Sequence, residues 1–402
     1  MKILYVSTLC SDKMFKKIYE NSEVKPQQQA QKFHSLLSKG LSSSVKDIHV
    51  MSRPPINETT DEKLKSNFTE ANENITYQYL KTSRNAFLRH ITIFVAGFFN
   101  TLSWSFKNRK EERVVVCDIL NLSISLSAFM GSKISGTRNI AVVTDIPSYM
   151  QNYSNKRKSI LKKMISSIYT GLSQYFAKRY DYYVILTQQM NDLINPKKKP
   201  FVVIEGMVDI NMSSVSNSLK DKYADKVIIY AGALKEKAGI RNLIEAFIRL
   251  NIDDVKLWLY GSGEMEDDIR TYESIDNRIK YFGVVPNHTV VKEQLKATLL
   301  VNPRPSIEEF TKYSFPSKNM EYMVSGTPIL TTKLSGMPKE YYPYVYLIED
   351  ESVDGLSRTL KVILSKNKEE LHKKGLRAKE FVLKEKNNVI QVRKIINMLK
   401  DM

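Results

Sequence analysis

Cysteine and histidine are scarce in this chain of 402 residues. It has two cysteines and five scattered histidines, and it contains neither a CxxC nor an HExxH motif. Protein metal sites are built largely from closely spaced Cys, His and carboxylate ligands, so the sequence predicts no structural or catalytic metal. Cys10 and Cys117 each lie inside an apolar run, which indicates buried free thiols in a reducing compartment.

A glycine-rich phosphate loop is missing from the start of the chain. The apolar strand at residues 2–7 continues into Thr8-Leu-Cys-Ser-Asp-Lys13, which has no glycine. A dinucleotide-binding Rossmann fingerprint needs glycines at this turn, because the backbone must approach the pyrophosphate closely. The sequence therefore argues against an NAD or FAD enzyme and predicts no cofactor. Because a strand begins at once, we expect no secretory signal.

Long hydrophobic runs are also few, and the longest is interrupted. Residues 86–106 are the most apolar stretch, but Arg89, His90 and Asn100 break it. The clean run is shorter than the ~20 residues that a membrane span requires. We therefore expect a helix packed on a sheet, with shallow membrane contact as a further option.

Positive charge is abundant and unevenly placed. The net charge is +18, and residues 1–205 hold 30 Lys and Arg against 16 Asp and Glu, whereas the remainder holds 31 against 27. Residues 151–180 contain no acid and combine basic residues with apolar ones at helical spacing. These basic residues are Lys156, Arg157, Lys158, Lys162, Lys163, Lys178 and Arg179. The pattern indicates either a helix on an anionic membrane surface or a core-packed helix with a solvated basic face. No nucleic-acid-binding module is visible, so we expect no nucleic-acid partner.

The most informative stretch is residues 298–332, which predicts strand, polar loop, helix and strand. Ser314 is the expected N-cap and Pro316 the expected first-turn residue, while Gly326 and Pro328 end the helix. In open α/β sheets, the loop and helix N-terminus of such a unit lie at the carboxyl edge, where ligands bind.

The side chains at this edge suit a sugar nucleotide. Lys318 lies in the first helical turn, where free N–H groups already attract anions, and Arg304 follows the strand. Glu321, one turn further along, offers oxygens to two ribose hydroxyls. The alternative is an ordinary crossover unit with a solvated Lys and Glu.

Two further strand ends carry candidate site residues. The strand at 226–231 ends in Gly232, which permits close ligand approach. The strand at 139–144 ends in Asp145, which a proline turn follows. Asp145 is the candidate catalytic residue of the first half, and a turn-stabilising role is its alternative.

Three motifs carry a family resemblance. Phe315-Pro-Ser-Lys318, Glu321-Tyr-Met and Gly326-Thr-Pro-Ile329 resemble the donor site of family-4 glycosyltransferases of the GT-B fold, and the bacterial surface-polysaccharide subgroup in particular. The resemblance implies that Glu321 holds the nucleotide ribose. It also implies that the turn from Phe315 through Ser317 to Lys318 holds the diphosphate. The family's sugar-contacting Glu corresponds to Tyr313, which is a departure from the pattern.

The glycine turn departs from the family as well. Many members have Arg directly after the glycine and Lys five residues later, both on the diphosphate. This chain has Ala233 and Ala238 there, with Lys237 and Arg241 close enough to substitute. The resemblance thus implies that Lys237, Arg304 and Lys318 neutralise the diphosphate.

The predicted architecture is an α/β GT-B fold, with two Rossmann-like domains and a cleft between them. We expect an acceptor-binding domain at 1–204, a nucleotide-sugar-binding domain at 205–382, and a last helix at 383–402 that crosses back to the first domain.

The resemblance implies a retaining, metal-independent glycosyltransferase of bacterial capsule, exopolysaccharide or lipopolysaccharide synthesis. Its expected partners are a nucleotide-sugar donor, a saccharide or lipid-linked saccharide acceptor, and the anionic inner face of the cell membrane. It would be cytoplasmic and peripheral to that membrane. Two alternatives remain, namely a GT-B sugar-nucleotide epimerase and a non-catalytic membrane-binding paralogue.

Overall fold

The structure is a computed structural model that describes residues 1–26, 28–56, 68–83, 85–150 and 160–401. Contacts divide the chain into one unit of Met1–Met207 with Asn388–Met402 and a second unit of Val208–Asn387. Both divisions fall a few residues after those expected from the sequence. The basic residues at 156–158 lie outside the described residues.

The first unit is built on a largely parallel sheet. Its strands are β1 (Lys2–Ser7), β2 (Asp47–Ser52), β3 (Phe68–Asn72), β4 (Ile75–Tyr79), β5 (Arg113–Asp118), β6 (Arg138–Val143), β7 (Tyr182–Ile185) and β8 (Phe201–Val203). Over the described ranges their order is β3-β4-β2-β1-β5-β6-β7-β8, and β3 alone of these runs antiparallel to its neighbour. The central strands are continuous apolar runs because both faces of the sheet are covered.

Helices cover both faces of this sheet. They are α1 (Asp12–Glu20), α2 (Gln28–Ser42), α3 (Ala86–Lys107), α4 (Leu122–Ile134), α5 (Pro147–Met150), α6 (Ile160–Ala177) and α7 (Met190–Ile194). None of the described helices combines the length and apolar composition needed to cross a membrane.

Helix α3 packs along α4 through small residues. A Cβ atom at Gly97 would overlap the Ser127 hydroxyl, and one at Gly131 would lie 2.9 Å from the Thr101 side chain. Asn100 also accepts a hydrogen bond from Gln78 of β4 at 2.9 Å. The helix is therefore held by close backbone approach and polar contacts, while several of its large apolar side chains remain exposed.

The second unit contains a parallel sheet. Its strands are β9 (Lys226–Ala231), β10 (Val255–Tyr260), β11 (Ile279–Gly283), β12 (Leu299–Asn302), β13 (Ile329–Thr332) and β14 (Tyr346–Ile348), in the order β11-β10-β9-β12-β13-β14. Its helices are α8 (Ile240–Ile248), α9 (Glu266–Ile275), α10 (Asn287–Lys296), α11 (Ser317–Ser325), α12 (Val353–Leu364) and α13 (Lys368–Glu385). The predicted α/β class is confirmed, and α11 connects the parallel neighbours β12 and β13.

The last helix, α14 (Asn388–Lys400), belongs to the first unit. Val392 and Ile395 are buried in the core of that unit. Arg138 donates to the Leu399 carbonyl at 3.2 Å, and Lys394 donates to the Val203 carbonyl at 3.2 Å. The end of the chain is thus fixed by both apolar packing and capping hydrogen bonds.

Candidate functional site

The glycine turn after β9 is pinned to the neighbouring loop. The Gly232 N–H donates to the Tyr260 carbonyl at 2.9 Å, and the Leu234 N–H donates to the Ser262 carbonyl at 2.9 Å. A Cβ atom at Gly232 would overlap the end of the Lys318 side chain. A side chain at this position would have to displace the Lys318 amine, and the Gly232 φ of +156° is a backbone conformation that other residues rarely adopt.

Lys318 is a half-buried cation held beside neutral groups. Its Nζ donates to the Tyr230 hydroxyl at 2.7 Å and lies 4.3 Å from the centre of the Tyr230 ring. Tyr230 in turn donates to the Ala233 carbonyl at 2.8 Å. Within the described part of the chain, no carboxylate lies within ion-pair distance of Lys318.

The pKa of the Lys318 ammonium is lowered to about 8, chiefly by burial; the Glu321 carboxylate opposes this shift, and the charge of Arg304 adds to it. Desolvation and a neighbouring cation both disfavour the charged form. An anion bound beside Lys318 would reverse that effect, so the site is electrostatically suited to phosphate.

Helix α11 begins later than the sequence predicts. Ser314 is not its N-cap, because the helix starts at Ser317 and Pro316 is the preceding residue, with no side-chain capping hydrogen bond. The Ser314 hydroxyl instead accepts from the Arg304 guanidinium at 3.2 Å. Since the first N–H groups of a helix have no intrahelical partner, this N-terminus can accept an anion directly.

Arg304 lies close to the same N-terminus. Its guanidinium packs over the Phe310 ring at 4.6 Å, in addition to its bond to Ser314. Its charge contributes to the lowered pKa of Lys318. The structure therefore places Gly232, Lys318 and Arg304 close to one another.

Glu321 lies one turn beyond Lys318 on α11 and is half-buried. Its Oε1 accepts a long hydrogen bond of 3.4 Å from Gln294 of α10. The carboxylate also acts on the charge of Lys318, which places the two groups on one side of the helix.

The other predicted site residues have diverse surroundings. The Phe315 ring is buried against Tyr341, whereas the Ser317 side chain is exposed. Lys237 lies exposed in the 3₁₀ turn Glu236–Ala238. Asp145 is exposed directly after β6, at the carboxyl edge of the first unit's sheet.

The structure also describes Arg241 and Tyr313, two positions where this chain differs from the family pattern or offers a substitute for it. Arg241 forms ion pairs with Glu236 at 3.1 Å and with Asp268 at 2.7 Å, so two carboxylates already compensate its charge. Tyr313 ends the 3₁₀ turn Glu309–Tyr313. Among the described side chains, no group of three or more His, Cys, Asp or Glu could hold a metal ion.

Sequence reasoning missed the side chains that orient α11. Buried Asn319 accepts from Asn302 of β12 at 2.8 Å and donates to Thr331 of β13 at 3.1 Å. The Tyr322 hydroxyl accepts from the N–H of Ala231, at the end of β9, at 2.8 Å. A polar residue inside an otherwise apolar run is the sequence signal that could have identified these side chains. Tyr230 is a further residue of this kind.

Comparison with known proteins agrees with this geometry. The family model described as glycosyl transferases group 1 matches residues 214–381. Residues 214–381 are thus similar to group 1 glycosyl transferases. A comparison with curated protein sequences found no match.

Solved structures of GT-B glycosyltransferases share the whole fold. The lipopolysaccharide outer core galactosyltransferase WaaB is 16% identical, with a TM-score of 0.61, over 100% of this chain and 99% of the other. Anabaena Alr3699/HepE in complex with UDP is 15% identical, with a TM-score of 0.64, over 100% of both chains. Sucrose-phosphate synthase from Thermosynechococcus elongatus is 12% identical, with a TM-score of 0.65, over 100% of both. The predicted resemblance and the predicted GT-B fold are confirmed.

Lys318 provides a direct test of the site's electrostatics. We expect its amine to titrate with a pKa of about 8, because burial disfavours its charge. NMR of ¹³C-methylated lysines would show this as a resonance with that midpoint that disappears in Lys318→Met. The buried Lys222 amine, with a pKa lowered to about 7, is an internal comparison that persists in the variant. A Lys318 resonance that titrates at the ordinary lysine value would contradict the description.

Proposed function

We propose that this protein is a group 1 glycosyltransferase that binds a nucleotide-sugar donor at the N-terminus of α11. Lys318, Arg304 and the first N–H groups of the helix hold the diphosphate, and Glu321 holds the ribose hydroxyls. The observation that carries the proposal is the Lys318 ammonium, which is desolvated beside Gly232 without a carboxylate partner among the described residues. Anabaena Alr3699/HepE shares this fold, and its complex with UDP-glucose supports such a donor.

The proposed reaction transfers the glycosyl unit to a saccharide hydroxyl. The bond between the anomeric carbon and the diphosphate oxygen breaks, the acceptor oxygen bonds to that carbon on the same face, and the leaving phosphate takes the acceptor proton. Lys318, Arg304 and the helix N–H groups stabilise the charge that develops on the diphosphate. In this proposal the step retains anomeric configuration, needs no metal, and has Asp145 contacting the acceptor.

We also propose that the acceptor is a lipid-linked saccharide of bacterial surface-polysaccharide synthesis. A GT-B fold shared with a protein named as a lipopolysaccharide galactosyltransferase supports this class of acceptor. An acceptor held in the cytoplasmic leaflet would require the enzyme to lie at the inner face of the membrane.

The outward faces of α3 and α6 support that location. Both helices bury several small or hydroxyl residues, such as Gly97, Thr101 and Ser173. Although α3 also buries Ile93, many large apolar side chains of the two helices are exposed. The exposed set is Leu88, Ile91, Val95, Phe99 and Phe106 on α3 and Met164, Ile165, Ile168, Leu172 and Tyr175 on α6. A soluble helix normally has the opposite arrangement.

Charge favours an anionic bilayer as the surface that covers these side chains. Residues 86–110 and 160–179 contain no Asp or Glu, and Lys107, Lys178 and Arg179 lie at the helix ends. Apolar burial and attraction to anionic lipid together hold interfacial helices on membranes.

Glu321 tests the donor site. Glu321→Ala should weaken binding of a nucleoside diphosphate at least about tenfold, because charge-assisted hydrogen bonds contribute about 1.5–3 kcal/mol each. Calorimetry with a panel of nucleoside diphosphates measures this. Glu369→Ala, which removes an exposed carboxylate of α13, is the matched control. Unchanged affinity in Glu321→Ala would refute the ribose assignment.

The membrane proposal has its own test. Ile168→Ser combined with Leu172→Ser should weaken sedimentation with phosphatidylglycerol-containing vesicles at least about tenfold, since burying each such side chain contributes about 1.5–3 kcal/mol. Val362→Ser, at a comparably exposed position of α12, should bind as the wild type does. Equal binding by all three proteins would exclude α6 from the contact.

A further inference from the structure

Two arginines and a histidine lie together at the carboxyl edge of the first unit's sheet. Arg53 directly follows β2, and its guanidinium donates to the Asn121 side-chain oxygen at 2.7 Å. Arg89 and His90 lie near the start of α3, and His90 Nδ1 is 3.1 Å from the Ser123 hydroxyl. Since Asn121 and Ser123 flank the first residue of α4, the strand and both helices converge on one place.

The positive charges of this cluster are not compensated. No carboxylate in the described ranges forms an ion pair with any of the three side chains. Arg89 Nε is buried, and no described group forms a hydrogen bond with it. Burial and the Arg89 charge lower the pKa of Arg53, and burial with both arginines lowers that of His90. Desolvated cations this close destabilise one another unless an anion joins them.

Helix α6 closes the cluster on its outer side. The Tyr169 ring lies 6.3 Å from the His90 ring, and its hydroxyl accepts from the Leu122 N–H at 3.0 Å. Next to Arg89 and Tyr169 stand exposed apolar side chains of the same two helices, Leu88 and Ile168. A cationic group thus lies beside an apolar surface, which is the arrangement that an amphiphilic phosphate requires.

We infer that Arg53, Arg89 and His90 form a binding site for a phosphate group, and that this phosphate belongs to the acceptor. Arginine suits this role because its planar guanidinium pairs two N–H groups with two phosphate oxygens. The identity of the phosphate as part of the acceptor rests on the proposed function, whereas the anion site itself rests only on the cluster.

Histidine NMR reports on this site locally, because the chain has five histidines and His90→Gln assigns the relevant resonance. Titrating inorganic phosphate or hexyl phosphate into the full-length protein should shift the His90 resonance to saturation. Arg89→Gln should require at least about tenfold more ligand, because a charge-assisted hydrogen bond is lost. Arg89→Lys should lie between that variant and the wild type. Lys107→Gln, the same charge change on the same helix, should titrate as the wild type does.

Two further readouts separate ligand binding from structure. Without ligand, Arg89→Gln should melt at the same temperature as the wild type or higher, because the variant loses a repulsive cation.

Tighter binding of hexyl phosphate than of inorganic phosphate would assign the site to a lipid phosphate. Equal binding of the two would assign it to a water-soluble phosphate. An unmoved His90 resonance, or equal weakening by Arg89→Gln and Lys107→Gln, would overturn the inference. Nucleoside diphosphate affinity measured on the same variants tests the donor site separately, since none of them changes α11.

Discussion

The proposed donor site of this protein depends on one contact, in which the Lys318 amine occupies the space of a side chain at Gly232. The contact fixes Lys318 at the carboxyl edge of the second sheet, close to the uncapped start of α11. It also makes the site electrostatically incomplete, because the ammonium is desolvated and its hydrogen-bond acceptor is the neutral Tyr230 hydroxyl. An anionic ligand would relieve that cost, so the same geometry that raises the free energy of the free protein favours a diphosphate.

Much of this arrangement could be predicted from the sequence, because it is local in the chain. Apolar runs followed by Gly232, and the helix from Ser317 with Gly326 after it, indicate a parallel sheet with a ligand site at its carboxyl edge. The N-cap was predicted wrongly at Ser314, because that hydroxyl bonds to Arg304, ten residues earlier. Tertiary contacts also decide that Arg241 is engaged by two acids and that Asn319 bridges two strands. Spacing alone contains none of this information.

In the first unit, even less of the arrangement could be predicted from the sequence. The basic and apolar composition of α6 leaves membrane and core-packed interpretations open, and only the structure shows that many large apolar side chains of α3 and α6 are exposed. Arg53 and Arg89 are separated by 35 positions in the sequence, yet one lowers the pKa of the other. No pattern in the chain links them. A cationic cluster beside two apolar helix faces is consistent with a unit that receives an amphiphilic acceptor.

The most direct measurement is a crystal structure of the protein with a nucleoside diphosphate that binds it in solution. The account predicts diphosphate oxygens within hydrogen-bond distance of Lys318 Nζ and of the N–H groups that begin α11, with the ribose hydroxyls on Glu321. It also predicts that the Lys318 amine turns from Tyr230 towards the phosphate. A nucleotide bound elsewhere, or at α11 with Lys318 still on Tyr230 and Glu321 out of contact, would contradict the central claim.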